Sequence, residues 1–225
     1  MKKVLLIAAL AVSSVSFAQI NFGAQIGGNI ANMKFSPTDV SPTSKFGITI
    51  GAVAEIPVSG SLVFRPELNL VQKGCKFSTS ISSGSSSFSS SEKISMTYIE
   101  IPFNFVYNIS AGGGNVFLGA GPSLGLGMGG KYTLTQTETI NGISTSETFS
   151  SSIKFDGNNT NDVNYHAKAI DFGFGLLGGY KMSNNLSFSL GYSIGLSNIS
   201  VSNDGSTIKN NGFAIKVGYM FGGGK

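Results

Sequence analysis

The chain has 225 residues, 31 of them glycine, and carries a formal charge of +4 with only 12% Asp, Glu, Lys and Arg. That charge content is about half the roughly 25% of a soluble domain, and no segment beyond residue 18 has the ~18 continuous apolar residues of a membrane helix. With Lys2 and Lys3 set aside, thirteen basic residues face eleven acidic ones, a balance that predicts no nucleic-acid partner.

Residues 1–18 read as a secretory signal peptide. Lys2 and Lys3 open it, Val4 to Val12 form its apolar run, and Ser16-Phe17-Ala18 supply small residues before Gln19. The remaining 19–225 are expected to form one exported all-β domain.

Eight strands follow in chain order, over 21–33, 45–56, 61–74, 96–108, 115–132, 168–182, 185–197 and 212–221. Each reaches the ~9–11 tilted residues that cross a hydrocarbon core. The seventh shows the pattern best. Leu186, Phe188, Leu190, Tyr192, Ile194 and Leu196 alternate with Ser187, Ser189, Gly191, Ser193, Gly195 and Ser197. Period-two alternation makes a strand with one greasy face. Bulky residues on one face and small ones on the other suit lipid outside and a packed polar lumen inside. The fold expected is an eight-stranded antiparallel up-and-down transmembrane β-barrel.

The connections alternate in length. Residues 57–60, 109–114 and 183–184 are tight and rich in Gly, Ser or Asn, as hairpin turns should be. Residues 35–44, 75–95, 133–167 and 198–211 are longer and polar. Short turns face the periplasm in outer-membrane barrels and long loops face outside. Ser78 to Ser91, nearly all Ser and Thr around Phe88, is expected to stay unordered. The alternative is that the hairpin arms extend as β-ribbon, because Thr alternates at 133, 135, 137 and 139.

Parity assigns the side chains to faces. Phe22, Ile26, Phe46, Leu68, Phe103, Phe105, Leu118, Phe172 and Ile215 are among those expected outside. Tyr107, Tyr180, Tyr219 and Phe221 lie beside short turns and read as an interfacial aromatic girdle. Glu55, Arg65, Glu67, Lys73, Glu100, Asp171, Lys181 and Lys216 share the small-residue face, with Gln25, Asn29, Asn69 and Asn104. Buried charges need partners, so a lumen ionic cluster of Arg65, Glu67, Glu100, Asp171 and Lys216 is expected. Arg65 is its centre, because a guanidinium forks onto two carboxylates. The interior of an eight-stranded barrel is just filled by side chains, which favours a plug over an ion or proton path.

Little else in the chain points to chemistry. Cys75 is the single cysteine, so no intramolecular disulfide forms. His166 is the single histidine and has no nucleophile near it in sequence, so no enzyme is expected. Asp156, Asn158, Thr160 and Asp162 alternate like the start of a calcium loop, but Asn161 and Ala167 occupy the positions that need Gly and Glu. No cofactor or metal is expected.

Several segments carry a family resemblance. They are Phe46-Gly47-Ile48 through Glu55-Ile56-Pro57, Phe64-Arg65-Pro66-Glu67-Leu68 with Gln72-Lys73-Gly74, and Tyr98-Ile99-Glu100-Ile101-Pro102. Gly119-Ala120-Gly121-Pro122, Asp171-Phe172-Gly173 and Val217-Gly218-Tyr219 extend the match over the mature chain. Together they resemble the PorT-like outer-membrane β-barrel family. The resemblance implies a Gram-negative outer-membrane barrel; the founding member's link to protein secretion does not transfer from barrel motifs alone. The chain departs from the family at Gly222-Gly223-Gly224-Lys225, where such barrels usually stop at an aromatic. The function expected is a monomer in the lipid bilayer of the outer membrane, with a plugged polar lumen and polar extracellular loops. The alternatives are a small-solute pore and an accessory of a protein secretion system, with envelope or secretion proteins as partners.

Overall fold

Alternation sustained for ten or more residues leaves the backbone extended, and extended backbone must find lateral partners for its N–H and C=O groups. The computed structural model describes residues 20–37, 41–160 and 162–221, so the signal-peptide segment and the last four residues lie outside the described part. Among these residues there are ten strands: β1 (Asn21–Ser36), β2 (Thr43–Ser59), β3 (Leu62–Ser83), β4 (Ser86–Ala111), β5 (Gly114–Ile140), β6 (Ile143–Lys154), β7 (Tyr165–His166), β8 (Ile170–Met182), β9 (Leu186–Gly195) and β10 (Thr207–Met220).

Eight of the ten close a ring. β1, β2, β3, β4, β5, β8, β9 and β10 pair antiparallel in that order. β10 returns to β1 in a register that runs from Gly23 opposite Met220 to Ser36 opposite Thr207. No strand of the ring is left with an open edge, the arrangement that removes the hazard of unpaired backbone.

The two extra strands belong to the long hairpin arms. Residues 78–91, expected to be unordered, are instead paired residue by residue up to Ser83 opposite Ser86. β5 runs on to Ile140 and turns at Asn141-Gly142 into β6. Both turn residues have positive φ, 51° and 81°, the geometry of the two-residue hairpin that Asn-Gly favours. Hydroxyl pairs tie β5 to β6: Thr135 to Thr148 at 3.2 Å, Thr137 to Ser146 at 3.1 Å and Thr139 to Ser144 at 2.8 Å. A strand needs a neighbour more than it needs a greasy face, and Thr and Ser satisfy that need through the ladder and these side-chain bonds. β7 is a two-residue parallel addition to β6.

The faces of the ring sort by size and polarity. Phe46, Ile26 and Leu118 stand outward at 69%, 60% and 58% exposure. Inside, the lumen is layered. Towards the long-loop end Met33, Val71, Cys75, Met96, Tyr98, Ile153, Ala167 and Ile199 form an apolar layer. Towards the short-turn end Val106, Phe117 and Leu177 form a second. Arg65, Glu67, Lys73, Glu100, Asp171 and Lys216 lie between the two, while Lys45 is buried beside Ala31 at the long-loop end.

Candidate functional site

β3 supplies three of the lumen charges, its inward positions being Arg65, Glu67, Asn69, Val71 and Lys73. They divide into two groups. In the lower group, Arg65 Nη1 lies 3.5 Å from Glu55 Oε1 and Arg65 Nε lies 3.5 Å from Glu67 Oε1. Lys216 Nζ of β10 donates to Glu67 Oε2 at 2.6 Å, and Lys181 Nζ of β8 donates to Glu55 Oε2 at 2.6 Å. Gln25 Nε2 of β1 also donates to Glu67 Oε2, at 2.7 Å. The guanidinium of Arg65 sits 4.9 Å from the ring centre of Phe117, within cation–π reach.

In the upper group Lys73 is paired with Glu100 of β4, and its Nζ lies 3.3 Å from Asp171 Oδ2 of β8. Asn210 Nδ2 of β10 donates to the same Asp171 oxygen at 2.9 Å. Lys73 Nζ lies 5.1 Å from the ring centre of Tyr98. Each cationic hub is thus covered by an aromatic ring from the adjoining apolar layer.

The five residues expected as one cluster therefore fall in two. Arg65, Glu67 and Lys216 belong to the lower group; Glu100 and Asp171 belong to Lys73 rather than to Arg65. Parity gives the face of a side chain, but the shear of the ring decides which strands stand opposite one another across it. Tyr98, Phe117 and Asn210 complete the site and had no signal in the alternation beyond their parity. Four cations (Arg65, Lys73, Lys181 and Lys216) meet four carboxylates (Glu55, Glu67, Glu100 and Asp171). Such pairing offsets the cost of burying these eight charges; Lys45, also buried on the inward side of β2, has no ion-pair partner among the described residues. Arg65 Nε and Glu67 Oε1 are buried without a hydrogen bond although they face each other. A cavity of about 80 Å³ separates the groups, lined among others by Asn29, Glu67, Lys73, Glu100 and Lys216.

Above the upper apolar layer the loop after β6 folds over the mouth. Phe155 lays its ring against Tyr98, centroids 5.1 Å apart. His166 is held between two carboxylates, Nδ1 at 2.8 Å from Asp156 Oδ1 and Nε2 at 3.0 Å from Asp162 Oδ1. Those hydrogen bonds raise the pKa of His166 above its ordinary value and lower both aspartates. An imidazolium donating from both nitrogens has no lone pair for general-base work. The two aspartates that a calcium loop would need are directed at this ring. Among the described residues no group of three His, Cys, Asp or Glu side chains is arranged to hold a metal ion.

The observation that decides the family is the match of a family model, described as an outer membrane protein beta-barrel domain, to residues 17–201. The chain belongs to that family. Membership implies residence in a bacterial outer membrane, and the closed ring is the architecture the family name describes. No curated protein matches the chain in sequence.

Among solved structures the barrel is similar to Ail, the attachment invasion locus protein of Yersinia pestis. The identity is 12%, with 89% of this chain and 98% of that one covered and a TM-score of 0.40. It is also similar to Neisserial surface protein A, at 13% identity, 89% and 97% coverage and a TM-score of 0.37.

The aromatic residues expected as a girdle sit at the short-turn end of the barrel. Tyr107 pairs with Leu62, Tyr180 with Val116 and Phe188, and Tyr219 with Leu186. Tyr107, Tyr219 and Phe221 are exposed. Tyr180 is half-buried, and its hydroxyl donates to the turn, with the carbonyls of Ala111 and Gly112 at 3.0 and 3.1 Å.

Proposed function

We propose that the protein is a monomeric, eight-stranded transmembrane barrel whose lumen is plugged, and that it serves as a rigid membrane staple presenting its Ser/Thr-rich ribbon outside the cell. The observation that carries this reading is the ion-paired lumen. Ion pairs run from β3 to β8 and β10 across the axis around a cavity of about 80 Å³, and a second cavity of about 290 Å³ lies against the upper apolar layer beneath the loop after β6. A conducting pore needs a continuous wet path, and the apolar layers oppose one. Residues 1–18 act as the export signal, the aromatic residues near the short turns sit at the inner interface, and the protein performs no catalysis.

Refolding the mature chain into planar bilayers tests the plug. The expected trace has no steady conductance; stable steps on the nanosiemens scale would replace this reading with a small-solute pore. The finer PorT-like assignment rests on the motifs around Arg65-Pro66-Glu67 and Glu100-Ile101-Pro102, and with it goes a role as accessory of a secretion system. Crosslinking in the native envelope tests that role, and failure to recover any secretion component counts against it.

A further inference from the structure

Directly outside the upper apolar layer lies a cavity of about 290 Å³ that the plug does not fill. Its position follows from the strand lengths. β8 begins at Ile170 and β9 ends at Gly195, whereas β5 and β10 extend further towards the long loops. Residues 155–169 and 196–206 continue the wall on that side. Lys168 N donates to the Ile199 carbonyl at 2.9 Å, Ile199 N to that of Ile208 at 2.9 Å, and Ala167 N to that of Lys154 at 2.9 Å. The two loops are therefore bonded to each other and to β10 and β6.

The wall of the cavity is apolar and its rim is polar. Met33, Ile94, Met96, Ile153, Ile199 and Ile208 supply the wall, and exposed Thr160, Tyr165 and Ser202 bring it to the outer surface. The layer beneath is tightly packed, with Cys75, Met96 and Tyr98 almost wholly buried, so the space is local rather than a general looseness. Protein interiors hold few voids larger than a water molecule, and apolar ones stay dry and admit apolar guests.

Charge is kept away from this space. No Asp, Glu, Lys or Arg side chain lines it, whereas Glu67, Lys73, Glu100 and Lys216 line the smaller cavity between the ionic groups. His166 reaches the lining with both ring nitrogens already engaged by Asp156 and Asp162. A charged guest would lose its hydration and meet no partner. One buried donor remains. Ser200 lines the cavity and is only 5% exposed. Its Oγ accepts from Ser202 N at 3.2 Å, and no described residue accepts its proton.

We propose that the cavity is a binding site for an uncharged, mainly apolar molecule that presents one acceptor oxygen to Ser200. A cavity of about 150 Å³ holds a benzene-sized guest, so about twice that volume suits two fused rings. Met33 and Met96 adapt to an irregular apolar outline. Tyr132 and Tyr165, with ring centroids 4.3 Å apart, give the space an aromatic side. The guest arrives from outside the cell, since the ionic groups close the lumen below. The site needs only the mouth of the barrel, so its failure leaves the plug reading intact.

The test is fluorine NMR of the refolded chain in nanodiscs, with a fluorinated naphthol, the matching fluoronaphthalene and the matching fluoronaphthoate as probes. Empty nanodiscs give the signal of probe dissolved in lipid. The expected result is a protein-bound resonance for the naphthol, a weaker one for the naphthalene and none for the naphthoate. A167F and I208W each place an aromatic ring in the cavity and should abolish the bound signal. S200A should weaken the naphthol about fivefold and leave the naphthalene unchanged. Absence of any bound resonance overturns the proposal, as does naphthoate bound as well as naphthol. Undiminished binding in both A167F and I208W places the probe elsewhere and overturns it too. Equal loss of naphthol and naphthalene in S200A overturns the assigned contact with Ser200. The three probes on the unaltered chain decide the matter even where a variant fails to fold.

Discussion

Lys73 on β3 reaches Asp171 on β8 at 3.3 Å, although 98 positions separate them in the chain. The two strands are not neighbours in the ring, so this contact crosses the lumen. With Lys216–Glu67 and Lys181–Glu55 it ties opposite walls together.

Removing one partner from such a pair leaves a buried charge without compensation. K73M, which strands Glu100 and Asp171, is expected to cost about 3–5 kcal/mol in urea unfolding from lipid vesicles, and E67Q a similar amount. The two sites lie six residues apart on one strand, about 20 Å. Their effects should therefore add to within about 0.5 kcal/mol in the double variant. A strongly non-additive result would mean that the two ionic groups act as one network.

Gly127 has no side chain because the Phe155 ring occupies the place of its Cβ. G127A should push Phe155 off Tyr98 and cost about 1–3 kcal/mol, the usual penalty of overpacking. A paired F155A restores the space, so the double variant should be no less stable than F155A alone by the same unfolding measurement.

How much of this was legible beforehand follows from what alternation encodes. Eight segments of period two marked the strands of the ring, and their greasy parity marked Ile26, Phe46 and Leu118 as outward. The ribbon of β3 to β6 was half legible. Ser and Thr on both sides of a hairpin erase the polar–apolar contrast, so only the Thr spacing at 133, 135, 137 and 139 spoke for it. Of the partners of Arg65 and Lys73 only Glu67, two residues along the same strand, was legible; the others depend on the stagger of the closed ring. The apolar layer around Tyr98 was hidden for a different reason. Ala167, Ile199 and Phe155 come from segments that read as polar loops, and each was too isolated to register as core.

The loop over the mouth should respond to pH. The pKa of His166 is raised in the folded state, so its contribution is fully present below about pH 6.5 and fades as pH rises through the raised value. Asp156 and Asp162 are lowered, so theirs is present above about pH 4 and is lost on further acidification. Hydrogen exchange of the amides of residues 156–166 should be slowest between these limits and quicken towards alkaline pH. In H166Q the alkaline acceleration should vanish beyond the intrinsic pH dependence of exchange.

Cys75 is fully buried in the upper apolar layer. A maleimide reagent should leave it unlabelled in the folded barrel and label it fully once the chain is unfolded in denaturant. Labelling at the unfolded rate under native conditions would contradict the layer described around it.

The most direct test of the account is which way the bulky face looks. Phe105 is on β4, outward and half exposed, and the chain has no tryptophan. F105W therefore reports one position. Refolded into vesicles with bromine on the acyl chains, it should be strongly quenched by the lipid and untouched by acrylamide in the water. Quenching by acrylamide with none from the brominated chains would contradict the assignment of this face to the bilayer.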